Sequence, residues 1–158
     1  MLESSNVLIA DETGRIIDIV NEAEAGDGIR QLKGLLTPGF VNCHCHLELS
    51  HMKGVIAEQT GLVPFLMQVV QLRSFPREVI DAAMANAEQE LYNSGTVAVG
   101  DISNTTDTLA LKRESKMHWY NFIEILGLAE DMAVERFAAY KKVYDAFSEL
   151  HNQVYYRY

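Results

Sequence analysis

The segment Asn42-Cys43-His44-Cys45-His46-Leu47-Glu48 packs imidazoles, thiols and a carboxylate into one short stretch. Side chains alternate along an extended chain, so His44 and His46 are expected on one face, with Cys43 and Cys45 on the other. Two imidazoles on one face form a natural chelate for Zn²⁺ or Fe²⁺. A hydrolytic site needs at least one further protein ligand and an open position for water. Glu48 shares the histidine face if the strand persists and would then contact substrate; otherwise it is a solvated loop carboxylate. The plainer alternative for His44 and His46 is a pair of partly exposed polar residues at a strand end. Cys43 and Cys45 are too close in sequence for a disulfide and lack a second cysteine pair for a structural zinc, so they read as small core residues.

The elements that must hold this cluster follow from hydrophobic periodicity. Val7–Ala10 and Arg15–Val20 flank Asp11-Glu12-Thr13-Gly14, a turn composition, and predict a β-hairpin. Ile29–Leu36 reads as a further short strand before Thr37-Pro38-Gly39 breaks the chain. Phe40–His44 is a strand. Helices are predicted from Pro64 to about Leu72 and from Pro76 to about Leu91, the second with Val79, Ile80, Met84 and Leu91 on a core-facing stripe. A buried strand Thr96–Gly100, a short helix Thr106–Glu114 and a strand Met117–Ile125 follow. A last helix, capped by Asp131, carries Val134, Phe137, Tyr144 and Phe147, and a strand is expected to begin at Val154. Strands alternating with helices from Pro38 onward predict an α/β fold with parallel strands, either a doubly wound sheet or part of a barrel. At roughly 30 residues per βα unit, Pro38–Tyr158 holds about four units, half of a closed (β/α)8 barrel.

Composition narrows the partners. The 158 residues carry a net charge of −9, which repels phosphate backbones and anionic lipid heads, so neither nucleic acid nor a membrane surface is an expected partner. Apolar runs fall well short of the ~20 residues that cross a bilayer. The amino-terminal residues show neither a basic region nor a continuous apolar one, so a cytoplasmic protein is expected.

The run Leu36-Thr37-Pro38-Gly39-Phe40-Val41-Asn42-Cys43-His44-Cys45-His46-Leu47-Glu48 closely resembles the first barrel strand of the amidohydrolase superfamily, the metal-dependent hydrolases. The hairpin with Asp11, Gly14, Arg15 and Ile16 resembles the small β domain that precedes the barrel. Ser94–Asp101 resembles the second barrel strand. Within the superfamily, His44–Ser50 followed by Lys53-Gly54 is most similar to the cytosine-, guanine- and aminofutalosine-type deaminases and chlorohydrolases.

The resemblance implies the first three to four βα units of a TIM barrel over residues 37–158, preceded by an incomplete small β domain over 1–36. It implies one divalent metal, Zn or Fe, bound by His44 and His46 with ligands from later strands. It implies hydrolysis of a carbon–nitrogen bond, as in deamination of an amino-substituted heterocycle or nucleoside-like small molecule. In the family a further histidine and a late aspartate complete the metal site, and a glutamate and another histidine move protons. His51, His118 and His151 sit in no matching motif, so no catalytic residue is assigned. On this reading the chain is a fragment, inactive alone. The alternative from another class is a non-catalytic α/β interaction module that has lost its active site. A homo-oligomer is compatible with either. Further candidates for the rim are Asp101, Ser103, Asn104 and Glu124, although Asp101 could cap the next helix and Glu124 could be a buried paired carboxylate. His51 and Lys53 are expected to be solvated loop residues.

Overall fold

The structure, a computed structural model, describes residues 5–127 and 130–154 and divides into two compact units, Met1–Thr37 and Pro38–Tyr158. In the first, β1 (Asn6–Ala10) and β2 (Ile16–Asn21) pair antiparallel, with Val7 opposite Val20 and Leu8 opposite Ile19. Asp11 closes the turn. Its Oδ1 accepts from the Thr13 N–H at 2.9 Å, the Thr13 hydroxyl at 2.6 Å and the Arg15 N–H at 3.0 Å, while Gly14 takes a φ of 85° that a side chain would disfavour. These bonds, the Thr13 hydroxyl first, hold the Asp11 carboxyl below its ordinary range. The strand expected at Ile29–Leu36 is absent. Gly28 and Gly34 adopt positive φ near its two ends, and Leu32, Leu35 and Leu36 are exposed, so the segment meets no strand to pair with.

In the second unit, β3 (Phe40–Cys45), β4 (Thr96–Ser103) and β5 (His118–Ile123) form a parallel sheet in the order β3-β4-β5. Leu47–Met52 is a 3₁₀ helix. Between β3 and β4 also run α1 (Leu62–Leu72) and α2 (Arg77–Asn93), between β4 and β5 runs α3 (Leu109–Glu114), and α4 (Ala133–Val154) follows β5. Val154, the expected start of a further strand, ends α4, and Tyr155–Tyr158 lie outside the described residues. Asp131 sits in a 3₁₀ turn just before α4.

One face of the sheet is covered. Val99 and Trp119 lie side by side across β4 and β5 and form a core with Leu47 and Met117, against which Cys45, Ala87, Leu91 and Leu111 pack. On the other face Tyr120 and Phe122 remain 64% and 49% exposed, their rings 4.8 Å apart. Of the α2 stripe, Met84 is buried, Ile80 and Leu91 half-buried and Val79 exposed. No helix among the described residues is long and apolar enough to cross a membrane.

Candidate functional site

The carboxyl end of β3 does not follow simple alternation. Asn42 pairs with Val99 and Cys45 with Asp101, so three steps along β3 match two along β4, a bulge. Asn42 shapes it by accepting the His44 N–H on Oδ1 at 3.2 Å. The extra residue turns Cys45 toward the covered face and leaves Cys43 exposed, which corrects the expectation that both thiols are core residues. Burial, with the Asp101 carboxylate adding to it, pushes the Cys45 thiol up to about 12. His44, beside Cys45 in the strand, lies on the open face and is exposed.

His46 is no longer in the strand. It stands at the start of the 3₁₀ helix with φ −126° and ψ 73°, and is half-buried. The two imidazoles nevertheless meet, with ring centroids 5.2 Å apart and planes at 62°. The His46 Nδ1 is buried without a hydrogen-bond partner. Two rings this close can present nitrogens to one cation, and an unpartnered buried nitrogen is a group still lacking the contact it needs. The pair therefore fits part of a metal site. Among the described residues no group of three His, Cys, Asp or Glu side chains comes together as a ligand set.

Behind the histidines lies a buried polar network. The side chains of Asp101 and Lys112 are fully buried and form an ion pair. Lys112 Nζ also donates to the Asn121 Oδ1 at 2.6 Å and to the Ser103 hydroxyl at 3.3 Å, and lies over the rings of Trp119 and Phe147 at 5.1 and 4.9 Å. Ser103 donates to Asp101 Oδ2 at 3.1 Å, and Asp101 Oδ1 accepts the Leu47 N–H at 2.8 Å. Burial holds Lys112 below its ordinary range, opposed by the Asp101 charge. Asp101 is thus part of β4 and caps no helix. Lys112, one turn after the N-cap Thr108 on the buried side of α3, carried no sequence signal for this role.

Glu48 is also turned inward and is only 3% exposed. Its carboxylate accepts from the Asn104 N–H at 3.1 Å, the Thr105 N–H at 3.0 Å and the Thr105 hydroxyl at 2.8 Å, with the Arg73 guanidinium 3.7 Å away. A substrate contact through this side chain would have to displace those bonds. Asn104 in turn donates through Nδ2 to the Glu124 carbonyl at 2.8 Å and to its Oε2 at 3.3 Å. Glu48, Asn104 and Glu124 are therefore joined across the carboxyl ends of β3, β4 and β5. Arg73 and Thr105 carried no sequence signal for this arrangement. His51 is not a solvated loop residue: it is half-buried, its Nε2 lies 3.0 Å from the Arg73 carbonyl and its ring stacks edgewise on Phe75. Lys53 is exposed and pairs with Glu90 at 3.0 Å.

The Amidohydrolase family model matches residues 35–152, which include the histidine pair and the whole sheet. The chain belongs to the amidohydrolase family. Its relatives among these amidohydrolases include an aminodeoxyfutalosine deaminase of a Nitratiruptor species, 31% identical over 59% of this chain and 23% of that protein. A 5-methylthioadenosine/S-adenosylhomocysteine deaminase of Natronomonas pharaonis is 32% identical over 64% of the chain and 24% of the relative. An adenosine deaminase of Helicobacter pylori is 27% identical over 75% and 28%. The chain spans about a quarter of the length of these curated relatives. The crystal structure of Helicobacter pylori aminofutalosine deaminase, a complex with methylthio-coformycin, shares the fold. The TM-score is 0.63 at 24% identity, over 89% of this chain and 36% of that one. The amidohydrolase sheet described above is thus the mixed α/β arrangement with parallel strands found in that enzyme.

Proposed function

We propose that this chain contributes the first-strand metal ligands, His44 and His46, to a hydrolytic deaminase that acts on the exocyclic amino group of a heterocycle or nucleoside-like small molecule. The observation that carries the reading is the meeting of the two imidazoles, 5.2 Å between centroids, at the carboxyl end of a parallel strand in an amidohydrolase chain. The relatives named as deaminases support the reaction class. In this reading residues 1–36 belong to a small β domain and 37–158 to the opening βα units of a barrel, and activity belongs to a longer protein of cytoplasmic location.

The cofactor is a divalent ion, Zn or Fe, which when bound supplies Lewis acidity to water and to the substrate. His44 and His46 would hold it, and the Glu48–Asn104–Glu124 chain fixes the rim on which a substrate would rest. Two imidazoles without a carboxylate base neither bind tightly nor set up proton transfer, so the 158 residues alone are inactive.

Zinc titration of the chain and of its His44→Ala/His46→Ala variant tests the ligand pair. Binding present in the first and lost in the second is expected; equal binding overturns it. In a complete polypeptide containing this segment, either single alanine should abolish ammonia release from 6-aminopurine nucleosides. Unchanged release in the variants would sink the ligand assignment, and no release by the unsubstituted polypeptide would sink the deaminase reading.

A further inference from the structure

We propose that Asp101, secured by Lys112, is a positioning residue for His46: it holds the peptide that carries this imidazole out of β3. The inference rests on the reading of His44 and His46 as a ligand pair. β3 ends at Cys45, whose ladder partner is Asp101 itself. The Leu47 N–H therefore falls beyond the β-ladder, inside the protein, and needs an acceptor. Asp101 Oδ1 supplies it at 2.8 Å, so the carboxylate side chain extends the grip of β4 on β3 past the end of the strand.

The rest of the network fixes the carboxylate that makes this bond. Asp101 Oδ2 is taken by Lys112 and Ser103, and the Lys112 ammonium is taken by Asp101, Ser103 and Asn121. A fully buried carboxylate and ammonium are costly in an apolar layer that could be filled more cheaply by hydrocarbon. Toward the end of β3 the pair presents a fixed Oδ1 facing Leu47. His46 depends on it in a particular way. A metal-binding imidazole must be oriented by its surroundings, and the buried Nδ1 of His46 makes no hydrogen bond to the protein that would do so. With the ring unheld at that atom, the backbone on either side must orient it. Asp101 pins the following peptide, and Glu48, one residue on, is pinned by Asn104 and Thr105.

Two double variants separate the bond from the charge. Asp101→Asn/Lys112→Met keeps an amide oxygen for the Leu47 N–H, whereas Asp101→Leu/Lys112→Met removes the acceptor with hydrocarbon of similar volume, a replacement of buried pairs that proteins commonly tolerate. The first readout is the nuclear Overhauser effect between the His44 and His46 ring protons in the metal-free chain, and the second is Zn²⁺ affinity by competition with a chromophoric chelator. The Asn/Met variant should retain both. The Leu/Met variant should lose the ring contact and bind zinc about 10- to 100-fold more weakly. A ring contact that survives in Leu/Met, or that is lost equally in both variants, overturns the proposal. Amide exchange at Leu47 in the unsubstituted chain reads the same bond without mutation: protection like that of β3 supports it, and exchange at the rate of an open loop refutes it. If the ring contacts and Leu47 protection follow the expected pattern while zinc binds wild type no better than His44→Ala/His46→Ala, the positioning role stands and the metal reading fails.

Discussion

At the scale of single residues, the bulge in β3 gives Cys43 and Cys45 opposite environments although they stand two positions apart. Thiolate is the reactive form, and a thiol raised to about 12 is ionised at pH 8 to only about one part in ten thousand. Iodoacetamide at pH 8 should therefore modify Cys43 alone in the folded chain and both cysteines in denaturant, as mass spectrometry of the peptides would show. Rapid double modification under native conditions would mean that Cys45 does not face the core. Glu48 makes a second prediction. The Asn104 and Thr105 N–H groups and the Thr105 hydroxyl point at its oxygens, so a glutamine there would aim an NH₂ at donors. Because hydrogen bonds to a buried charge contribute about 1.5–3 kcal/mol each, Glu48→Gln should lower the urea midpoint by the equivalent of about 2 kcal/mol at unchanged slope. A midpoint equal to wild type would show that the carboxylate is solvated after all and free for substrate.

At the scale of elements, the approach of β3 to β4 depends on Gly39. A Cβ there would overlap both methyls of Val97 and come within 3.0 Å of its Cβ, so rotating the stiff valine cannot clear the space. Gly39→Ala should cost about 1–3 kcal/mol, the usual range for overpacking, and Val97→Ala in the same chain should recover the larger part. Thermal melts of the two variants decide it; a Gly39→Ala chain as stable as wild type would place the strands farther apart. The same strands show what can be read from residues alone. Parallel β-alternation, the α2 stripe and the Asp11–Gly14 turn are legible because each is a local pattern with a single period. The bulge is not, because it exists only as a mismatch between two segments far apart in sequence; Leu47 and Asp101, which meet beside it, are separated by 54 positions. Alternation continued through His46 predicts the histidine pair, yet the rings meet because the chain leaves the strand there. Asp101 is recognisable as a polar residue just past the predicted strand Thr96–Gly100, but its partner Lys112 lies on another element, and only packing reveals that the two share one buried space. Ile29–Leu36 fails for the converse reason: apolar residues favour a strand only where another strand offers its edge.

At the scale of the whole molecule, the balance between exposed hydrocarbon and net charge decides behaviour in solution. Leu62, Val63, Phe65, Leu66, Met67 and Val70 of α1 are all exposed, as are Tyr120 and Phe122 on the open sheet face and Val134, Phe137 and Tyr144 on α4. Parallel sheets are ordinarily covered on both faces, and β3 and β5 each present an unpaired edge among the described residues. Against association stands the charge of −9, whose repulsion acts over a Debye length of about 8 Å at physiological salt and about 3 Å at 1 M. Hydrophobic attraction is not screened in this way. The 158 residues should accordingly self-associate, with a light-scattering mass that grows with protein concentration and grows further when salt is raised, and should bind the dye ANS. If charge pairing between copies drove association instead, salt would dissolve it. A monodisperse monomer at 1 M salt that binds no ANS would mean that the apolar surfaces of α1 and the sheet are covered within the chain.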